Sequence, residues 1–172
     1  PDILDYDIIK GKRTYLYFDG IVLYPFGHGK SYSNFEYSNL RLNDREINEH
    51  EEVTISVNVK NKGTLDGDEV VQLYFRSLDS RFQRPLKQLI GFKRVSIKAG
   101  ELQEVQFTID ASELAVWDIT RDKYCVESGV YEFLVGKSSS DIQLQERLKV
   151  NGETIPLRNL YVNTRAENYD DY

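Results

Sequence analysis

A strict alternation of apolar and polar residues is the feature that most limits what this chain can fold into. Every second residue from Val53 to Val59 is Val or Ile, and the residues between them are polar. A period of two places successive side chains on opposite faces of a β-strand, one buried and one in water. Similar segments follow between turn residues such as Gly and Asp, at residues 71–75, 105–109, 131–135 and 142–150. The pattern indicates strands and shows no sustained helical period.

The spacing of these segments predicts the fold class. About seven strands, with turn signals roughly every 8–12 residues, are typical of a sandwich. We therefore predict an all-β fold over residues 35–151, an antiparallel β-sandwich of fibronectin type III or immunoglobulin-like type. Within it, the polar segment Ser77–Pro85 predicts an exposed loop. The apolar segment Leu86–Ile97 predicts one or two short strands.

Three local features add detail to this prediction. The apolar pattern of the first strand changes parity after Tyr37, where Leu40 and Leu42 continue it, and this predicts a β-bulge. Residues Ala111–Asp118 predict one helical turn. We expect Trp117, the single tryptophan, to fill the core between sheets instead of stacking on a ligand.

The N-terminal arm, residues 1–34, is rich in aromatic residues and is interrupted by glycines and one proline. Glycine and proline at these spacings favour turns and extended pieces over a helix. The arm is too apolar for a solvated linker, so we expect its rings to pack partly on the following domain and partly on another domain. The candidate domain-interface residues are Tyr15, Tyr17, Phe18, Tyr24, Pro25, Phe26, His28 and Tyr32.

The charge balance argues against several kinds of partner. The chain has 22 Lys and Arg against 28 Asp and Glu, a formal net charge of −6. An acidic chain without a basic stripe suits neither nucleic acid nor anionic membranes, and no stretch reaches the roughly 18 apolar residues of a membrane span. The single cysteine, Cys125, lies in a strand-like segment, where we expect an inert buried thiol. The compartment stays open between secretion, which we prefer, and the cytoplasm.

Motif spacing predicts no catalytic, metal or cofactor site. The Gly-Lys-Ser at 29–31 matches the end of a phosphate-binding loop, but Tyr24 replaces the leading glycine and a strand follows it. His28 and His50 lack the spacing of zinc ligands. His28 could act as an acid or base, although we prefer a histidine held by hydrogen bonds in a glycine-rich turn.

Eight segments nevertheless resemble one known family in the order in which they occur. They are DYDI at 5–8, GKRTYLYF at 11–18, LYPFGHGKSY at 23–32, FEY at 35–37, NKGT at 61–64, GDEVVQLY at 67–74, LIGFKRV at 89–95 and VGKSSSDI at 135–142. Together they resemble the C-terminal region of glycoside hydrolase family 3, which includes β-glucosidases and β-xylosidases. At position 30 this chain has Lys where the family usually has an apolar residue, a difference that bears on how this turn packs.

The resemblance implies a fibronectin type III-like domain at the end of a multidomain retaining hydrolase. In that family the nucleophilic Asp belongs to an N-terminal barrel and the acid/base Glu usually to a following α/β domain. Neither motif region occurs here, so no catalytic residue and no cofactor carries over. The arm corresponds to the part that wraps back on the catalytic domains, which are the implied partners.

The end of the chain, residues 152–172, loses the strand pattern and predicts a linker. Within it, residues 166–170 resemble the opening of a family 6 carbohydrate-binding module, truncated after its first strand. A disordered acidic tail is the alternative interpretation.

The sequence leaves two main hypotheses for function. The preferred one is an accessory scaffold for catalytic domains that cleave β-glucosides or β-xylosides and lie outside this chain. The alternative is a non-catalytic module that binds a plant-type polysaccharide or oligosaccharide, or another protein, with rings such as Tyr15, Tyr17 or Tyr74 stacking on sugars. A flat row of exposed rings would favour sugar binding, whereas rings buried in loops at one end would favour the scaffold.

Overall fold

β-Strands make up almost all of the regular structure in the computed structural model, which describes residue 4 and residues 6–154. The strands are β1 (Phe35–Leu42), β2 (Glu46–Asn48), β3 (Glu52–Asn61), β4 (Gly67–Ser77), β5 (Gln88–Ile97), β6 (Leu102–Asp110), β7 (Val116–Asp118), β8 (Lys123–Cys125), β9 (Gly129–Ser138) and β10 (Asp141–Asn151). One helical turn, α1 (Thr14–Tyr17), precedes them, and a 3₁₀ turn (Ala111–Leu114) follows β6. The predicted linker lies outside the described residues from position 155 onward.

Hydrogen bonding groups the strands into three sheets. A three-stranded sheet has the order β1-β3-β6, a five-stranded sheet has the order β2-β10-β9-β4-β5, and β7 pairs with β8 in a separate ribbon. Every pairing is antiparallel except that of β2 with β10, which is parallel. The all-β class is therefore confirmed, while a purely antiparallel arrangement is wrong.

One hydrophobic core takes side chains from both larger sheets. The predicted alternating positions of β3, β4, β6 and β9 are all nearly inaccessible to solvent: Val53, Ile55, Val57, Val59, Val71, Leu73, Phe75, Val105, Phe107, Ile109, Tyr131, Phe133 and Val135. Burying one such side chain contributes about 1.5–3 kcal/mol, so the period-two pattern is also the main source of stability.

Strands β4 and β9 are buried on both faces, which their alternation did not predict. From Val71 to Phe75 every residue is buried, including Gln72 and Tyr74 on the face away from the core. The N-terminal arm covers this outer face of the five-stranded sheet, as described below. The centre of the sheet therefore has no water-facing side.

The structure corrects the predicted strand count and confirms most local features. There are ten strands in the described residues, because β2, β7 and β8 have only three residues each, too few to show alternation. The first strand does contain an irregularity, a register shift between Ser38 and Arg41 with Asn39 at a φ of 53°. The 3₁₀ turn forms where a helical turn was expected. Residues 88–97 form a single strand, which is one of the two options predicted for the segment Leu86–Ile97.

Two predictions about side-chain exposure are wrong. Trp117 is 42% exposed, because it lies on the β7–β8 ribbon, where its ring meets that of Tyr124 edge to face. Arg84, in the loop predicted to be exposed, has a side chain only 6% exposed. It lies over the rings of Phe75 and Tyr131 and donates to the backbone oxygen of Leu114 at 2.7 Å. Long-range packing decided both positions.

A prediction made for the arm is also wrong in part, since it contains the helical turn α1. The turn is short and none of its residues is buried. It begins at Thr14, whose φ of 63° lies in the left-handed region. Contacts to β5, described below, hold this segment in place against its weak local preference.

A buried carboxylate anchors the β7–β8 ribbon. Asp118 accepts hydrogen bonds from the backbone nitrogen and hydroxyl of Thr120, at 2.9 and 2.7 Å, and from Nε of Arg121 at 2.5 Å. Arg121 also donates to Glu153 at 2.5 Å, which ties the ribbon to the end of the described chain. Burial acts to raise the pKa of Asp118, but the hydrogen bonds outweigh burial and lower the pKa to about 2.

Replacing this carboxylate tests its contribution. We expect Asp118→Asn to lower the free energy of unfolding by about 2 kcal/mol at pH 7, because an amide N–H would face the Arg121 donor. A carboxylate whose pKa is lowered in the folded state stabilises above its unfolded pKa of about 3.9, and that stability is lost as the pH falls through the folded value. The deficit of the variant should therefore shrink between about pH 4 and pH 2.

Urea unfolding at pH 7 and at pH 2.5, followed by Trp117 fluorescence, measures this difference. The exposed neighbour Asp122→Asn is the matched control, because asparagine tolerates its φ of 51°. An equal deficit for Asp118→Asn at both pH values would contradict the assignment.

Candidate domain interface

A tight turn at Pro25–His28 brings the arm onto the five-stranded sheet. The backbone nitrogen of His28 donates to the oxygen of Pro25 at 3.0 Å, which closes the turn. Gly27, the third residue, has a φ of 77°. This conformation is costly for residues with a Cβ atom, so the Pro-Phe-Gly-His sequence suits the turn that forms.

The side chain of Gln72 on β4 lies directly beneath this turn. Its Nε2 donates to the backbone oxygen of Gly27 at 2.9 Å and to that of Lys137 on β9 at 2.7 Å. Its Oε1 accepts from the hydroxyl of Tyr74 at 2.6 Å. The buried amide thus uses both of its donor hydrogens and an acceptor site, and it joins the arm to two neighbouring strands. Burial raises the pKa of the Tyr74 hydroxyl, which keeps it protonated and able to donate.

Aromatic rings continue the contact beside Gln72. The ring of Tyr15 stacks on that of Phe26, with centroids 4.1 Å apart and planes 9° apart, and meets Tyr74 edge to face at 6.4 Å. Such pairs add about 0.5–1.5 kcal/mol to the burial of the rings themselves. Two segments of the arm, one around Tyr15 and one around Phe26, are therefore packed on each other as well as on the sheet.

Three backbone groups near the start of β5 and in the β9–β10 turn donate hydrogen bonds to the arm. The nitrogen of Leu86 donates to the oxygen of Leu16 at 2.7 Å, and that of Ser139 donates to the oxygen of Phe26 at 2.9 Å. The nitrogen of Leu89 on β5 donates to the hydroxyl of Tyr15 at 3.2 Å. These bonds fix the arm at the start of the edge strand and at the β9–β10 turn.

The arm leaves other apolar side chains in solvent. Leu23 is 94% exposed and Tyr24 77% exposed, and the side chains of Ile21 and Tyr32 are fully exposed. Isolated exposed apolar residues are ordinary, whereas several in one short segment form a candidate contact surface.

The eight predicted interface residues thus divide into two groups. Tyr15, Tyr17 and Pro25 are half-buried, whereas the remaining five are exposed: Phe18, Tyr24, Phe26, His28 and Tyr32. The ring of His28 lies 5.5 Å from that of Tyr24, and its backbone nitrogen closes the turn.

A groove of about 730 Å³ lies between the arm, the β4–β5 loop and the β9–β10 turn, and it brings five of these residues together. Its walls are largely apolar and its floor is formed at the β4–β5 loop and the β9–β10 turn. The lining includes Tyr15, Phe18, Val22, Tyr24, Pro25, Phe26, Leu86, Lys87 and Ser139. The groove is concave and lies beside the exposed side chains of the arm, so a partner could contact both.

The sequence did not identify the residues on the sheet that receive the arm. Gln72 occupies a position that the alternation assigns to the solvent-facing side of a half-buried strand. Leu86, Lys87 and Ser139 lie in segments without periodicity. Each contacts a residue more than 40 positions away. The one available signal was the Gln72-Leu73-Tyr74 segment within the family resemblance.

Two carboxylates that line a cavity together with arm residues are held by internal partners. Glu69 accepts from the hydroxyl of Tyr37 at 2.7 Å, and burial raises its pKa. Its neighbour Asp68 accepts from Arg94 at 2.8 Å and from the Ser96 hydroxyl, and these bonds lower its pKa. A glycosidase needs one protonated and one ionised carboxyl on either side of the scissile bond. Here each group is engaged within the fold.

Some other features of the described residues bear on function. Cys125 is buried as predicted, and burial raises the pKa of its thiol, which makes it a poor nucleophile. Among residue 4 and residues 6–154, no three or more His, Cys, Asp or Glu side chains are grouped to hold a metal ion. No helix in that part of the chain is long and apolar enough to cross a membrane.

Known proteins resemble this chain in sequence and in fold. Residues 69–139 match the family model for a fibronectin type III-like domain. The chain is 40% identical over 157 residues to thermostable β-glucosidase B of Acetivibrio thermocellus, covering 89% of this chain and 21% of that protein. It is 41% identical over 131 residues to a β-xylosidase of Formosa agariphila, covering 76% and 18%.

A solved structure is similar to the same part of the chain. The crystal structure of the GH3 β-glucosidase of Bifidobacterium adolescentis matches with a TM-score of 0.74 and 32% identity, over 83% of this chain and 21% of that chain. The fold and the family model define a fibronectin type III-like domain. The relatives then specify which kind: the chain belongs to the fibronectin type III-like domains of glycoside hydrolase family 3. It spans about a fifth of the length of the curated relatives it matches.

The attachment of the arm can be tested at Gly27. A Cβ atom there would lie 2.0 Å from Oε1 of Gln72, and the φ of 77° is unfavourable for alanine. We expect Gly27→Ala to weaken the attachment by about 2 kcal/mol and to speed amide exchange of Leu86 and Ser139 by at least about tenfold. Hydrogen exchange followed by NMR measures both amides.

Gly29→Ala is the matched control, since no atom lies within 4 Å of its added Cβ. Exchange at Leu86 and Ser139 should be unchanged in that variant. Equal exchange rates in the two variants would contradict the role assigned to the contact between Gly27 and Gln72.

Proposed function

We propose that this chain is an accessory scaffold domain of a β-glycosidase, which supports catalytic domains outside the chain and carries no catalytic residue itself. The observation that carries the proposal is the division of the arm between two sides. Tyr15 and Gly27 hold it on the sheet, while Leu23 and Tyr24 stay exposed beside a concave groove. A neighbouring domain that covers this surface would complete the burial of the arm.

The size of the relatives supports the same assignment. The β-glucosidase and β-xylosidase that match are about five times as long as the matched segment, so most of each enzyme lies elsewhere. We infer that the activity of those enzymes, on β-glucosides or β-xylosides, also belongs to the protein of which this chain forms a part. The catalytic domains of that protein are then the partners of the arm.

We also infer a layered arrangement and three regions along the chain. The three-stranded and five-stranded sheets share one core, which supports a fibronectin type III sandwich with those sheets as its layers. Residues 1–34 form the arm, residues 35–151 the sandwich, and residues 152–172 a linker or the start of a following module.

Sugar binding receives less support than the scaffold role. Tyr74, one of the rings expected to stack on sugars, is completely buried. Tyr15 is stacked on Phe26, and its hydroxyl already accepts a hydrogen bond. The rings of the arm form the walls of a groove instead of the flat row of exposed rings that sugar binding would favour.

The first test uses the chain alone. We expect no hydrolysis of p-nitrophenyl β-glucoside or p-nitrophenyl β-xyloside, because the catalytic groups lie in other domains. Affinity electrophoresis through gels with soluble xylan or glucan should show no retardation. Turnover would reject the absence of catalytic residues, and retardation would favour the carbohydrate-binding alternative.

The second test uses a chimera in which this chain replaces the matching segment of the Acetivibrio thermocellus β-glucosidase. We expect the chimera to hydrolyse the aryl β-glucoside and to outlast, at elevated temperature, the same enzyme without the segment. Leu23→Asp should shorten the inactivation half-life of the chimera several-fold while leaving the melting temperature of the isolated chain unchanged.

Leu102→Asp is the matched control for Leu23→Asp. Leu102 is also an exposed leucine, but it lies on β6 of the three-stranded sheet and outside the groove lining. Equal half-lives for the two variants would contradict the proposed docking surface.

A further inference from the structure

A lysine side chain lies in the groove between the arm and the sheet. Lys87 is half-buried just before β5, and its Nζ donates to the backbone oxygen of Ser139 at 2.5 Å. The acceptor is a neutral carbonyl group, so this bond leaves the positive charge of Lys87 without a counter-charge.

The charged neighbours of Lys87 do not supply a counter-charge either. Within the described part of the chain, Lys87 takes part in no ion pair. The acidic residue in the groove lining, Asp19, is paired with Lys12 at 2.5 Å. Burial and the positive charge of Arg76 lower the pKa of the Lys87 ammonium. Arg76 is itself paired with the buried Glu132 at 2.6 Å, so Glu132 is already neutralised.

The surroundings of Lys87 define what would bind beside it. The groove walls are formed by apolar and aromatic side chains, among them Phe18, Val22, Tyr24 and Leu86. A charge in such surroundings is costly unless an opposite charge reaches it, and burial of the pair by the same ligand strengthens the attraction. The complementary ligand therefore combines a carboxylate with an adjoining apolar group.

We propose that this groove binds an acidic side chain flanked by an apolar or aromatic one, presented by a neighbouring domain of the same enzyme, with Lys87 paired to the carboxylate. The inference rests on the proposed scaffold function and names the chemistry of its partner. The exposed Leu23 and Tyr24 would contact the surface around that acidic segment.

A small probe tests the groove in the chain as it stands. 3-Phenylpropionate carries a carboxylate beside an aromatic ring, and 3-phenylpropan-1-ol has the same ring without the charge. We expect the acid to bind at least about tenfold more tightly than the alcohol, with NMR shifts at Leu86, Lys87 and Ser139. Lys87→Met should remove the preference for the acid, whereas Lys87→Arg should retain most of it.

Lys30→Met is the matched control for the probe, because Lys30 is exposed and lies outside the groove lining. It should leave the binding of both probes unchanged. Equal affinity for the acid and the alcohol in the unmodified chain, or an unchanged preference in Lys87→Met, would overturn the inference.

The chimera with the Acetivibrio thermocellus β-glucosidase tests the natural contact. We expect Lys87→Met to shorten its inactivation half-life at least about threefold, whereas Lys30→Met leaves that half-life unchanged. The melting temperature of the isolated chain should change by no more than about 3 °C in either variant.

The outcomes separate the two proposals. A stable chimera that is insensitive to Lys87→Met would overturn the acidic partner and leave the scaffold role intact. A chimera no more stable than the enzyme without the segment would reject the scaffold role and, with it, the neighbouring-domain partner. The probe titration would then still decide whether the groove selects a carboxylate.

Discussion

The hydrogen bonds of one buried amide hold the arm and the sheet together. Gln72 donates to Gly27 in the arm and to Lys137 in the next strand, and it accepts from Tyr74. A buried amide that lost one of these partners would leave an unsatisfied polar group, which costs about 1–3 kcal/mol. The turn geometry of the arm and the packing of the sheet are therefore coupled at this residue.

This coupling explains why the five-stranded sheet is buried on both faces at its centre. The inner face is filled by the apolar side chains of the core, and the outer face is covered by the rings of Tyr15 and Phe26. The arm thereby becomes part of the domain while its outer side chains stay available to a neighbour. An arm fixed in this way presents Leu23 and Tyr24 at defined positions, and under the proposed scaffold role this would lower the entropic cost of docking.

The sequence predicted the parts of the structure that depend on local patterns. The alternation from Val53 to Val59 predicted both the strand and its buried face, and the parity change after Tyr37 predicted the irregularity in β1. The number of aromatic rings in the arm indicated a segment that packs on other residues and is not a solvated linker. In each case the information lies within about ten neighbouring residues.

Other features depend on contacts between distant segments and could not be read in this way. Trp117 was expected in the core, but its three-residue strand pairs only with β8 and stays outside. The alternation alone predicts that Gln72 faces solvent, but the arm covers it. Lys87 donates a hydrogen bond to Ser139, which lies 52 positions later in the chain, and no local pattern indicates this contact. The parallel pairing of β2 with β10 joins residues about 100 positions apart.

The hydrogen bonds from Leu86 and Leu89 to the arm affect where a fragment that contains this domain should begin. Strand β5 is the edge of its sheet, and the arm occupies backbone groups at its start. A fragment that begins at the first strand would uncover the start of this edge and the outer-face side chains of Gln72 and Tyr74, and an uncovered strand edge favours aggregation. A fragment that keeps this covering begins before α1, some twenty residues ahead of the boundary that the strand pattern alone would suggest.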